Sequence, residues 1–178
     1  MLSVTGGGSA AVSPDGKQIA FVSRGEIFVT AVDYATTKQI TNTAESESSP
    51  SFGADNRTLA YASERDGYWN IYLASISRED DPNFPNATLI EEKPLFKGDK
   101  IDRTAPKFSP DGTRVAYVSR NNIYVENIAD GKVVQLTTDG SDLIVNGTFD
   151  WVYEEEFDCR DGFRWSPDGK HIAYWQSD

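Results

Sequence analysis

Cysteine is almost missing from this chain: Cys159 is the only one among 178 residues. One thiol can make neither an internal disulfide nor a thiolate metal site, so neither kind of staple holds the fold. Histidine is as scarce. His171 stands alone, which excludes a His-based metal site, and its place in a turn-and-strand phrase suits a surface position better than a catalytic base. Positive charge is also short. Seventeen Lys plus Arg against 28 Asp plus Glu leave a net charge of -11, which repels a phosphate backbone and argues against a nucleic-acid partner. No run approaches the roughly 18 apolar residues of a membrane-spanning helix, and Met1 to Ala11 lacks the basic start and apolar stretch of an export signal. A Gly-x-Ser-x-Gly nucleophile elbow is absent too: Gly8-Ser9-Ala10 is followed by Ala11 where the second glycine would stand. No cofactor motif is found, and none is expected.

What is present is enough for packed cores, with 38% hydrophobic and 12% aromatic residues. Those residues are organised by a repeat. Ser13-Pro14-Asp15-Gly16 precedes Ile19-Ala20-Phe21-Val22-Ser23. The phrase returns as Ser109-Pro110-Asp111-Gly112 before Val115-Ala116-Tyr117-Val118-Ser119, and as Ser166-Pro167-Asp168-Gly169 before Ile172-Ala173-Tyr174. A worn copy, Gly53-Ala54-Asp55-Asn56 before Leu59-Ala60-Tyr61-Ala62-Ser63, gives start-to-start intervals of 40, 56 and 57 residues. Proline presets a turn angle, aspartate bonds nearby backbone and glycine accepts positive φ, so each phrase predicts a tight turn between two strands.

Ile27-Phe28-Val29, Ile71-Tyr72-Leu73 and Ile123-Tyr124-Val125 supply third strands, and Gln39-Ile40-Thr41 and Gln135-Leu136-Thr137 supply fourth strands. Units of four short antiparallel strands at this spacing predict an all-β fold, a β-propeller. We expect one incomplete propeller over 1–178: blade 1 over about 9–43, blade 2 over about 49–97 and blade 3 over about 105–138. An acidic insertion over about 146–162 and a partial blade 4 over about 163–178 follow. Open blade edges of this kind favour association, either with a second copy or with a missing domain.

Two resemblances attach to these residues. The Ser-Pro-Asp-Gly blades, with Ser63-Glu64-Arg65-Asp66-Gly67 ahead of Trp69-Asn70-Ile71-Tyr72, resemble TolB and tricorn-type propeller repeats over about residues 1–110. The run Asn146-Gly147-Thr148-Phe149-Asp150-Trp151-Val152-Tyr153-Glu154-Glu155-Glu156-Phe157, followed by Trp165-Ser166-Pro167, resembles the propeller of dipeptidyl peptidase IV-like serine peptidases of the prolyl oligopeptidase family, over about residues 106–178.

The second resemblance implies a short helical insertion on which Glu155 and Glu156 bind the free N-terminal amine of a peptide substrate, supported by Glu154, Trp151 and Tyr153. It implies that cleavage belongs to an attached α/β-hydrolase domain, and it favours a periplasmic or extracellular setting. Two fixed carboxylates are chemically apt for an ammonium, which needs charge-assisted hydrogen bonds in a partly dehydrated site. From the charge run alone, a solvated acidic turn remains open. So do a TolB-like protein-binding or scaffold propeller and a chimeric or truncated propeller without activity.

Other features carry less. Asp158-Cys159-Arg160-Asp161-Gly162 lacks the alternating ligands of an EF-hand and is expected to be a linking loop. Asn56, Asn86 and Asn146 head glycosylation-type triplets. Trp165 and Trp175 are expected to fill cores between blades. The stretch from Arg78 to Arg103, with Pro82, Pro85 and Pro94, is expected to be a surface excursion of blade 2.

Overall fold

The computed structural model describes residues 8–149, 153, 156 and 162–178. Three four-stranded antiparallel sheets follow one another, each with its strands in sequence order. The first contains β1 (Gly8–Val12), β2 (Gln18–Ser23), β3 (Glu26–Ala31) and β4 (Thr37–Gln39). The second contains β5 (Glu47–Phe52), β6 (Thr58–Ser63), β7 (Asn70–Ile76) and β8 (Ile90–Pro94). The third contains β9 (Thr104–Phe108), β10 (Arg114–Ser119), β11 (Asn122–Asn127) and β12 (Val133–Gln135). A partial fourth unit follows, in which β14 (Phe163–Trp165) pairs with β15 (Ile172–Tyr174) and β13 (Val145–Asn146) pairs with β16 (Gln176–Ser177). The first strands β1, β5 and β9 touch in succession, the arrangement of blades set around an axis. The fold is a β-propeller of four-stranded blades.

The repeated turn is built from its own side chains. Ser13, Ser109 and Ser166 donate their hydroxyls to Asp15, Asp111 and Asp168 at 2.6, 2.5 and 2.6 Å. The same hydroxyls accept the backbone N–H of Gln18, Arg114 and His171. These serine hydrogen bonds hold all three aspartates below the usual carboxylate range, Asp111 at about 2. In the worn copy the Thr58 hydroxyl donates to Asp55 instead, and Asn56 takes the left-handed conformation (φ 58°) that Gly16, Gly112 and Gly169 take elsewhere.

Successive blades lock through the same positions. The residue just before each turn, Phe52, Phe108 and Trp165, packs onto the preceding blade over Ala20, Ala60 and Ala116. Three apolar interfaces result, one between each pair of neighbouring units. The residue just after the turn then reaches the next blade: Gln18 Nε2 donates to the Asn56 carbonyl at 3.0 Å and Arg114 Nη2 to the Gly169 carbonyl at 2.9 Å. Cross-strand aromatic pairs, Phe21 with Phe28, Tyr61 with Tyr72 and Tyr117 with Tyr124, stack at 5.7, 6.2 and 5.6 Å in the three blades.

Three expectations are corrected. The fourth strands lie at Thr37–Gln39 and Val133–Gln135, not two residues later. Thr41 and Thr137 are used differently, each accepting the N–H of Ile27 or Ile123 at 2.9 Å on its hydroxyl and so closing the end of the third strand.

The stretch from Arg78 to Arg103 is more than a surface excursion. Ile90–Pro94 is the fourth strand of blade 2, an edge position where proline is tolerated. The 3-10 turn Phe84–Asn86 buries Phe84 between blades 1 and 2, where its N–H donates to Gln18 Oε1 at 2.9 Å. Finally, Trp165 does pack between blades, with Nε1 donating to the Lys107 carbonyl, but Trp175 is 65% exposed. It falls between β15 and β16, where the chain leaves one pairing for the other.

Candidate functional site

The acidic insertion leaves the propeller after Asn146 and returns at Phe163, and the two ends are brought together by one residue. The Trp175 carbonyl accepts the N–H of Gly147 at 3.0 Å, and the Trp175 N–H donates to the Gly162 carbonyl at 2.9 Å. Exit and return are therefore both bound to the backbone of a single residue. They touch so closely that a Cβ on Gly162 would come within 2.3 Å of the Gly147 carbonyl oxygen. Only glycine fits there.

Below this neck lies a polar floor. Asn146 is fully buried, and its amide donates to Asp139 Oδ1 at 3.0 Å and to the Asn121 carbonyl at 3.1 Å. Gln176 Nε2 donates to Asp139 Oδ2 at 2.8 Å and to Asn146 Oδ1 at 2.9 Å. The side-chain amides of β13 and β16 are thus cross-linked through Asp139. The amide of Asn146, which heads a glycosylation-type triplet, is buried in this floor.

Of the residues singled out from the sequence, Tyr153 and Glu156 are described, both with helical backbone and both exposed. Trp151, Glu154 and Glu155 lie outside the described residues, as does Cys159. Tyr153 continues into an aromatic row: its ring lies 5.7 Å from that of Phe149, which lies 6.2 Å from that of Trp175. The site therefore presents a carboxylate and an exposed aromatic surface on a base fixed by backbone hydrogen bonds. Among the described residues no group of three metal-ligating side chains occurs.

Sequence reasoning missed the neck. The pair Gly147 and Gly162, bracketing the acidic run, was its one visible signal. It also missed a charge network within blade 2. Arg65 reaches Glu92 at 2.8 Å and Glu47 at 3.4 Å, while its Nε donates to Ser63 at 2.9 Å and its guanidinium lies 4.3 Å from the centre of the Tyr72 ring. Tyr61 donates its hydroxyl to Glu92 as well. Burial raises the Glu47 carboxyl above its ordinary value, against the hydrogen bonds it accepts from Thr43 and Ser63. The network fixes the loop from Ser63 to Asn70 against the blade.

Comparison with known proteins covers this region. A family model described as the dipeptidyl peptidase IV (DPP IV) N-terminal region matches residues 86–178, more than half of the chain. A probable dipeptidyl-aminopeptidase B from Podospora anserina is 42% identical over 84 residues, 46% of this chain and 9% of that protein. A dipeptidyl peptidase 4 from Felis catus is 42% identical over 91 residues, 49% of this chain and 12% of that protein. The chain thus matches about a tenth of the length of these relatives.

Among solved structures, Porphyromonas gingivalis dipeptidyl peptidase 4 aligns over 97% of this chain and 25% of its own, with TM-score 0.61 and 25% identity. TolB from Acinetobacter baumannii aligns over 93% of this chain and 36% of its own, with TM-score 0.67 and 24% identity, and shares the fold. The chain belongs to the family of the dipeptidyl peptidase IV N-terminal region.

Proposed function

We propose that this propeller segment serves a dipeptidyl peptidase-like serine exopeptidase by holding the free N-terminal ammonium of a peptide at Glu155 and Glu156. The observation that carries the reading is the neck. The exit and the return of the acidic insertion are both hydrogen-bonded to the backbone of one residue, Trp175, which supports the reading of a fixed attachment. The family match runs across the whole insertion, and Glu156 stands exposed on its helical turn.

An anchored amine measures a peptide from its end, which is the task of an enzyme that releases dipeptides. Each charge-assisted hydrogen bond of this type contributes about 1.5–3 kcal/mol, so one carboxylate lost should weaken binding by roughly tenfold or more. Glu154, Trp151 and Tyr153 have supporting roles in this reading. Calorimetric titration of the chain with a Xaa-Pro amide and with its N-acetyl form tests it. The free amine should bind at least tenfold more tightly, and Glu155→Gln or Glu156→Gln should remove that difference. Equal binding of the two forms by the unaltered chain refutes the reading.

A further inference from the structure

Neighbouring blades meet at equivalent residues, so a filled interface shows what an unfilled one is shaped to hold. Between blades 1 and 2 the gap is filled by Phe84, which is fully buried and stands 6.1 Å from Phe52 at an angle of 62°. Val29 and Ile76 pack in the same cluster. Phe84 comes from the 3-10 turn between β7 and β8, and polar bonds hold that turn in place. Its N–H donates to Gln18 Oε1 at 2.9 Å, and Lys38 Nζ donates to the Ala87 carbonyl at 2.6 Å.

Between blades 2 and 3 the equivalent position is a cavity of about 240 Å³. Its lining repeats the Phe84 site. Phe108 precedes its turn as Phe52 does, and Ile128 lies five residues after Ile123 as Ile76 lies five after Ile71. Leu73 is paired with Lys93 as Val29 is with Lys38, and Ser75 is paired with Thr58 as Ala31 is with Gln18. The plug alone is missing. In blade 2 the third and fourth strands are joined by residues 77–89, long enough to turn back into the interface, whereas in blade 3 they are joined by residues 128–132. Thr58, shorter than Gln18, keeps its hydroxyl on Asp55 at 2.8 Å and leaves the space open.

We propose that the cavity between blades 2 and 3 is a docking site for a partner protein, which inserts an aromatic side chain from a turn as Phe84 is inserted between blades 1 and 2. Leu73, Phe108 and Ile128 bury the ring, and Lys93 donates to a carbonyl of the inserted turn as Lys38 does to that of Ala87. The exposed carboxylates of Asp55 and Asp111 border the cavity, and the chain carries a net charge of -11. A segment with a basic residue beside its aromatic one is therefore attracted, and a second copy of this acidic chain is repelled. The proposal does not rest on the amine-anchoring reading.

The probe is the acetylated peptide amide Lys-Pro-Asn-Phe-Pro-Asn-Ala-Thr, which repeats the Phe84 turn behind a basic residue. Titrated into the isotopically labelled whole chain, it should give saturable NMR shifts centred on Leu73, Phe108 and Ile128. The same peptide with alanine for phenylalanine should bind about tenfold more weakly or worse. Lys93→Ala, a change at an exposed position, should weaken binding about threefold or more. Ser75→Leu, which fills the cavity from within, should abolish it.

An absence of saturable shifts, shifts centred on the interface of blades 1 and 2, or equal affinity for the phenylalanine and alanine peptides overturns the docking site. So does undiminished binding by Ser75→Leu. If that variant does not fold, Lys93→Ala decides: weakened binding upholds the site and unchanged binding overturns it.

Discussion

Glu126 shows how one carboxyl can set the pH response of the molecule. It lies on β11 opposite Val115 and Val133, is 5% exposed, and has one oxygen without a hydrogen-bond partner among the described residues. Burial pushes it up to about 7, with Arg103 pulling the other way. That arginine is already committed to Asp99 through two bonds of 2.8 Å.

A carboxyl whose folded value lies above its unfolded value of 4.5 keeps its proton in the folded state when the unfolded chain has lost it. Stability is therefore greatest below that unfolded value, falls by up to about 1.4 kcal/mol per pH unit as pH rises towards 7, and levels off above. Glu47 is shifted in the same direction and adds to the slope. Thermal unfolding between pH 5 and 8 should show this decline, and Glu126→Gln should flatten it and be the more stable protein at pH 8. Equal slopes for the two proteins would remove Glu126 from the account.

At the scale of the element, the repeat explains both what the sequence reveals and what it hides. Ser-Pro-Asp-Gly reads as a turn because all of its bonds are local, and even the worn copy is legible, since Asn56 tolerates the left-handed conformation. The ends of the fourth strands are hidden. Thr41 and Thr137 look like strand residues, and only their hydroxyl bonds across the sheet show that they close the third strand instead. Phe84 is hidden for a similar reason, because its partner Gln18 is 66 residues away.

The clasp between blades carries a testable energy. Arg114 donates to the Gly169 carbonyl and lies 4.9 Å from the centre of the Trp165 ring. A hydrogen bond from a charged donor and a partly exposed cation–π contact suggest that Arg114→Ala costs about 1–3 kcal/mol. Chemical denaturation should show that loss as a lower midpoint. An unchanged midpoint would remove Arg114 from the clasp between blades 3 and 4.

Across the whole molecule, the propeller frame and the candidate site differ in how far they can be read. The frame follows from repeated patterns of turn and strand residues, each meaningful without its neighbours. The residues of the site were legible as a motif, but their support was not. The neck joins Gly147, Gly162 and Trp175 through backbone atoms, and the floor joins Asp139, Asn146 and Gln176. The neck is closed by backbone bonds, of which only the glycine pair is a sign in the sequence, and the floor joins side chains from segments as far as 37 residues apart.

The proposed amine anchor places the carboxylates of Glu155 and Glu156 on an insertion whose exit and return are bound to Trp175. A crystal structure of the chain with a free-amine Xaa-Pro peptide tests that claim most directly. The terminal nitrogen should lie about 2.7–2.9 Å from carboxylate oxygens of Glu155 and Glu156. A peptide bound with its amine elsewhere, or no bound peptide at saturating concentration, would contradict the account.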